Sequence, residues 1–488
     1  METITEGLLE FKILEKKIFK IMCSEACELI SEYLMACDRQ IMAMRDAKEY
    51  RLVKFGKTTI KTLMGEVSYT RRYYKKNTGE YVFLLDEALK IEGGCGLVSE
   101  NLSEKIVNEC TEISFRKAAA SINKLTGQSI SAMGAWSVVQ QYGEKIEKQE
   151  ERLRELDKSG DTGQLGNVAC DVLFEEFDDV WLTMQREKRR KSGAPVEEGR
   201  KKTGKKPMHV GTAHTGWSQI KEDRYNTVNK IAYASYGDIP GFISSFEALK
   251  RHCFDMDGVQ RRIMNGDGAS WIKTVAENND SILQLDPFHR SRAIIRAVND
   301  RNDRKAVFSA INEKDVKKAL VVICDLIAKA EDEPSRKRLG ELFAYFYNNR
   351  SSLLTWQERG IKLPPPPQGV IYRNLGIQES NNCNLITQRM KHRKGSWSIQ
   401  GGNNMAKILC FRNTIGLEEM LWFLPEPSAI EAQTEPLSAA KAPKFDGKGD
   451  NSGWLHAEMP FEQAFKTHGR NAIRGLLNQR SLSDLVLR

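Results

Sequence analysis

Val172-Leu-Phe-Glu-Glu-Phe-Asp-Asp-Val-Trp-Leu-Thr-Met-Gln185 is an apolar, aromatic run with four acids set into its middle. Its composition reads as a β-strand, and a carboxylate inside an apolar strand needs a compensating partner. Downstream, Met208–Trp217 and Lys230–Tyr236 are also strand-like and pair beside the first run as a meander. A helix is expected over 240–256, and a short strand from Arg261 into the Gly266-Asp267-Gly268 turn. Ser270–Asn278 reads as helix, and Ile282–His289 as a strand ending in a polar tip. Residues 290–360 are helical by pattern and stop before the Pro364–Pro367 run. Glu379 opens another helix, with Cys383, Ile386 and Met390 following at helical spacing, which predicts a core-facing carboxylate. The fold class is therefore α/β, with an all-helical insertion.

Working towards the N-terminus, residues 4–50 show amphipathic helical spacing, and 51–85 switch to alternation with turn residues at Gly65 and Asn77-Thr78-Gly79, a small β-meander. Between Asn101 and Tyr142 the signals are helical again. Gly127 ends one helix and Ser131 caps the next, a spacing shared by helix-turn-helix DNA readers and by ordinary helical hairpins. The charged Glu144–Gly160 stretch reads as a linker. The expected organisation is 1–50 helical, 51–90 β-meander, 91–160 helix-turn-helix-like, 161–425 catalytic α/β domain with its insertion at about 290–365, and 426–488 a Pro/Ala-rich low-complexity tail with a short C-terminal helix.

The chain has 488 residues, 40% hydrophobic and 28% charged, which excludes a wholly disordered or fibrous protein. Lys+Arg exceed Asp+Glu by 9, a surplus that matters where it concentrates. One concentration lies between Arg186 and Lys206 and includes Lys188, Arg189 and Arg190. A second is Arg71-Arg72-Tyr73-Tyr74-Lys75-Lys76, which mixes basic and aromatic side chains, and a third surrounds Arg389, Lys391, Arg393 and Lys394. Arg116 and Lys117 belong to the helix-turn-helix-like region. Each group suits a phosphate backbone, and each also suits a solvated face. Trp397 fits base stacking or core packing. The ten cysteines form no CxxC pair, so free thiols in a reducing cytosol are expected, and no apolar run suggests secretion or a membrane span.

Three acids stand out: Asp178 within a strand, Asp267 at a strand end and Glu379 on a later helix. Carboxylates so distributed can hold two hard cations, Mg2+ or Mn2+, which keep open positions for water and phosphate. Singly, each has an ordinary reading as an edge-strand charge, a turn residue or a helix-dipole acid. Asp286 and His289 are candidate supporting or substrate-contacting groups, or simply a helix cap and a surface histidine.

The segments Glu176-Phe-Asp-Asp-Val-Trp181, Asn265-Gly-Asp-Gly-Ala-Ser-Trp271, Leu285-Asp-Pro-Phe-His289, Glu379-Ser-Asn-Asn, Arg389-Met-Lys and Gly395-Ser-Trp-Ser398 resemble insertion-sequence transposases of the ISLre type. The resemblance extends to Thr62–Tyr74, Leu84-Leu-Asp86 and Phe115–Ala119 and covers roughly residues 50–415. It implies a ribonuclease H-like, Mutator-related catalytic domain whose DDE triad falls on Asp178, Asp267 and Glu379. Where that family usually has Gly after the first catalytic Asp, this chain has Asp179. The expected partners are DNA at element ends and target, and a second copy of the chain, in the cytoplasm at the nucleoid. Two rival readings share these residues: a structure-specific nuclease without strand transfer, and a non-catalytic DNA-binding descendant.

Overall fold

The computed structural model describes residues 11–89, 91, 97–160, 166, 168–185, 204–392 and 395–414. Two compact units divide between Val139 and Gln140.

The first unit begins with helix α1 (Phe11–Met44), followed by strands β1 (Tyr50–Lys61), β2 (Glu66–Lys76) and β3 (Tyr81–Val82), helix α2 (Leu84–Ala88) and strand β4 (Leu97–Val98). The expected meander gains a fourth strand, because β4 pairs parallel to β1 and gives the order β3-β2-β1-β4. Alternation along β2 turns Val67, Tyr69 and Arg71 inward, and Val67 and Tyr69 join Leu34, Ile60 and Leu85 in the core. Arg71 is therefore buried; it pairs with Asp86, and its guanidinium lies 3.8 Å over the Phe83 ring. Arg72 pairs with the buried Asp38 of α1. Both arginines, expected on a phosphate-facing surface, are engaged inside the unit because each meets an internal carboxylate.

Helices α3 (Glu100–Glu112), α4 (Phe115–Thr126) and α5 (Ala132–Ser159) follow. Ser114 Oγ accepts from the Lys117 amide at the start of α4, Gly127 ends it at φ 68°, and Ser131 Oγ accepts from Gly134 N at 2.9 Å. Arg116 and Lys117 are exposed in the first turn of α4. The second helix of this joint is 28 residues long. Its C-terminal half, expected as linker, belongs to the second unit, where Glu150 bonds Lys407 at 2.5 Å and Leu153 packs on the core.

The second unit is mixed α/β. Its strands are β5 (Val172–Thr183), β6 (Lys205–His214), β7 (Gly216–Lys221), β8 (Arg224–Val228) and β9 (Ile231–Ser235); helix α6 (Ile239–Cys253), strand β10 (Arg261–Gly266), helix α7 (Ser270–Asn278) and strand β11 (Ile282–Leu285) follow. The main sheet has the order β11-β10-β5-β6-β9, antiparallel from β5 through β6 to β9 and parallel from β5 through β10 to β11. Leu173 and Phe177 of β5 pack on one face with Phe242 and Phe246 of α6 and Ile272 of α7. Val172 and Phe174 pack on the other with Trp217, Trp356 and Leu375. By the same alternation, Glu175 looks towards α6, while Glu176 and Asp178 look the opposite way.

Helices α8 (Pro287–Ala297), α9 (Arg301–Asn312), α10 (Val316–Lys329) and α11 (Glu333–Asn348) form the insertion around Ile294, Val307, Ile323, Leu342 and Phe346. Helical structure ends at Asn348 rather than near 365; turns and extended chain carry residues 349–377. The last elements are α12 (Gln378–Asn382), a π-helical turn (Cys383–Thr387), α13 (Gln388–Met390) and α14 (Ile399–Phe411). Among the described residues no helix is long and apolar enough to cross a membrane. The expected tail at 426–488 lies outside the described residues, as do Lys188, Arg189, Arg190, Arg393 and Lys394.

Candidate metal centre

Strand register places the acids. On the parallel β5–β10 ladder Asn265 lies opposite Glu176, so two residues further Asp267 comes level with Asp178. On the β10–β11 ladder Gly266 lies opposite Leu285, so the next residue, Asp286, emerges beside Asp267. Asp286 then caps α8, accepting from Phe288 N at 3.0 Å, and the first turn of that helix carries His289. Three chain segments distant in sequence thus bring acids to one level. One ligand atom each from Asp178, Asp267 and His289 lie within 4.8 Å of one another, and all three residues are half-buried.

The carboxylates are held from behind. Asp178 accepts from the Asp179 amide at 2.7 Å and from Asn382 Nδ2 at 2.5 Å. Asp267 Oδ1 accepts from Ala269 N at 2.9 Å, and its carbonyl accepts from the Tyr345 hydroxyl at 2.7 Å. Gly266 and Gly268 permit this turn: a Cβ on Gly266 would stand 2.8 Å from Ile272, and Gly268 has φ of 93° with Asn349 atoms 2.9 Å from its would-be Cβ.

The electrostatics favour a cation. Burial pushes the Asp178 carboxyl up to about 6, and Asp267 adds to the rise against the opposing amide of Asp179, His289 and Asn382. Burial also raises Asp286, with a further rise from Glu379. Beneath them Glu176, fully buried, is pushed up to about 8 by burial and by Asp286, although Asn265 Nδ2 and the amides of Gly376, Ile377 and Gln378 all donate to it. Those amide bonds anchor the start of α12 to β5.

Glu379 lies outside the converging group. It is exposed in the first turn of α12, not on the core side. The π-helical turn at Cys383–Thr387 breaks the 3.6-residue period that would have aligned Glu379 with the buried Ile386 and Met390. Asn382, three residues beyond Glu379, is the side chain of this helix that reaches Asp178. Its signal was that spacing, available once Glu379 was placed on a helix. Asp286 is the helix cap of the plainer reading, and His289 is a helical residue rather than a strand tip.

The other expected residues scatter. Lys391 is exposed, whereas Arg389 is buried with its guanidinium 5.3 Å from the centre of the buried Trp397 ring. Trp397 Nε1 donates to the Met390 carbonyl at 3.0 Å, and its backbone pairs with Thr183 and Gln185 at the end of β5, so packing rather than base stacking describes it. Asp179, on the opposite side of β5 from Asp178, meets His209 Nδ1 at 2.6 Å.

A family model described as "Uncharacterised protein family (UPF0236)" matches residues 4–422. Among relatives, "UPF0236 protein TTE2489" of Caldanaerobacter subterraneus subsp. tengcongensis is 26% identical over 427 residues, 86% of this chain and 81% of the relative. A second protein of that organism, whose name joins eleven locus designations from TTE0033 to TTE2212, is also 26% identical over 427 residues, with 86% and 80% covered. "UPF0236 protein in vanSb 3'region" of Streptococcus gallolyticus is 22% identical over 426 residues, 84% of each chain. Among solved structures, "Crystal structure of a pre-cleavage Mos1 transpososome" aligns at 11% identity over 55% of this chain and 86% of that one, with a TM-score of 0.13, too low to equate the folds.

Proposed function

We propose that this chain, which belongs to the uncharacterised protein family UPF0236, is the DNA transposase of an ISLre-type insertion sequence, built on a ribonuclease H-like domain. The observation that carries the reading is the convergence of Asp178, in the middle of β5, and Asp267, just past the end of its parallel neighbour β10. Three antiparallel strands followed by two parallel ones support the fold assignment. The joined locus names of a relative, eleven in one genome, fit a gene that copies itself.

The donor set suits divalent cations: two half-buried carboxylates, with a further acid at Asp286, whose carboxyl burial and the nearby Glu379 push up. Asp178 and Asp267 would hold magnesium or manganese, with Glu379 completing a second site. When bound, two such ions clamp the attacking and leaving oxygens of an in-line phosphoryl displacement. The chain's own residues orient this site. Asn382 and the Asp179 amide fix the Asp178 carboxylate, and the Glu176 bonds to the 376–378 amides fix the helix bearing Glu379. Lys391, Arg116 and Lys117 are exposed and would meet phosphates in this reading.

In the first step a water oxygen bonds to phosphorus and the P–O3′ bond breaks, leaving a 3′-hydroxyl and a 5′-phosphate; of the two water protons one ends on the 3′ oxygen and the other passes to solvent. In the second, that 3′ oxygen bonds to a target phosphorus and the target P–O3′ bond breaks, so phosphodiesters are conserved and a target 3′-hydroxyl is released. Joining two element ends requires at least two copies on DNA. A strand-transfer assay tests the proposal: a duplex carrying the gene's flanking sequence with a pre-cut 3′-hydroxyl is incubated with plasmid and Mg2+. Covalent joining by wild type and none by Asp267→Asn supports a transposase. Cleavage without joining identifies a nuclease, and a monomeric complex in light scattering removes the paired-end mechanism.

A further inference from the structure

We infer that His289 is a direct ligand of a divalent cation shared with Asp178 and Asp267, and that this first site prefers manganese-like ions to magnesium and forms without Glu379. The inference deepens the transposase reading and rests on it.

Distance is the first argument. Ligands on opposite sides of an ion at about 2.1 Å stand about 4.2 Å apart. The three donor atoms here all lie within 4.8 Å of one another, close to that span, which is the separation one shared ion requires before its ligands close on it. The first turn of α8 is also fixed before any ion arrives. Asp286 caps it, and the next residue after His289, Arg290, is buried, paired in fork geometry with Glu358 at 2.9 and 3.2 Å and bonded to the Leu353 carbonyl at 2.8 Å. A histidine on an anchored turn is a preorganised ligand.

Chemistry supplies the second argument. Magnesium selects all-oxygen octahedra, whereas an imidazole nitrogen raises affinity along the series towards manganese, iron, cobalt and zinc. Two carboxylates and one imidazole would leave positions open for water and a phosphate oxygen. Glu379, exposed on a different element, is not needed to complete it.

The test uses the full chain without DNA. Pulsed electron paramagnetic resonance of Mn2+ bound to wild type is expected to show coupling to a directly bonded 14N nucleus. Titration with Mn2+ and competition with Mg2+ follow for wild type, His289→Ala and Glu379→Gln. His289→Ala is expected to lose the nitrogen coupling and on the order of tenfold in Mn2+ affinity, with a smaller change for Mg2+. Glu379→Gln is expected to keep both. Bound Mn2+ without nitrogen coupling in wild type overturns the inference, whatever the folding of the variants, as does loss of the first ion in Glu379→Gln. The two readings fail separately. Nitrogen coupling with no strand joining removes the transposase and leaves the site; joining without nitrogen coupling does the reverse.

Discussion

Glu175 and Glu176 are adjacent in β5, of one residue type and equally buried, yet they sit in opposite electrostatic worlds. Glu175 faces α6, where Lys250 and a two-pronged Arg262 bond it and Glu247 closes the network; these cations outweigh burial and hold it down to about 2. Glu176 faces the candidate metal centre, where only amides donate to it among the described residues, and burial and Asp286 push it up to about 8. One face of the strand is neutralised by the chain itself. The other crowds Asp178, Asp267 and Asp286 above a carboxyl that burial keeps protonated, a cluster that an external cation would relieve. The difference separates a structural ion network from a site built to bind.

The sharpest way to break the comparison is Lys250→Met. With both partners fully buried, removing the ammonium leaves Glu175 undercompensated, and urea unfolding should show a loss of about 3–5 kcal/mol that divalent ions do not restore. The opposite face should respond to pH. Glu176 is raised above its ordinary value of 4.5, so its contribution favours the folded state below about pH 4.5 and is lost as pH rises through about 8. In EDTA, wild type should therefore lose about 4 kcal/mol relative to Glu176→Gln between pH 5 and 9; a constant difference would show that Glu176 is not perturbed.

Metal binding sharpens the contrast next. At a concentration one hundred times the dissociation constant, Mn2+ should stabilise wild type by about 2.7 kcal/mol, and Asp178→Asn should abolish that gain while leaving the metal-free stability intact or improved. A smaller effect is expected at the packed edge of the same strand. Trp397→Phe loses the bond to the Met390 carbonyl, worth about 1 kcal/mol in thermal unfolding, with DNA affinity unchanged. Smallest in stability is Arg116→Ala with Lys117→Ala, within about 0.5 kcal/mol, because both are exposed. In DNA titrations, however, that pair should flatten the salt slope by about 2.

How far these features could be read from sequence depends on their range. The run Val172–Thr183 announced its strand through composition, and the placement of Asp178 and Asp267 followed from a strand and a glycine turn. The Gly127 and Ser131 caps were equally local. Glu379 was misplaced because a π-helical turn shifts the helical phase, and no spacing rule encodes such a turn. Arg71 and Arg72 looked like surface charge because their carboxylate partners, Asp86 and Asp38, lie on other elements. The Glu175–Lys250–Arg262 network spans 87 residues and was invisible for the same reason. Helix α14 carries a local signal of the same kind as the Gly127 and Ser131 caps, with Ser398 as its cap and Met405, Ile408 and Leu409 on its apolar face.

The central claim is that Asp178 and Asp267 form a metal-dependent centre that cuts DNA. Its most direct test is nicking of a fragment bearing the gene's own flanks, with wild type, Asp178→Asn and Asp267→Asn in Mg2+, Mn2+ or EDTA. The account predicts cuts at defined flank positions by wild type alone, only with metal, while both variants keep binding the fragment. Cutting by either variant at the wild-type rate, or wild-type cutting in EDTA, would contradict it.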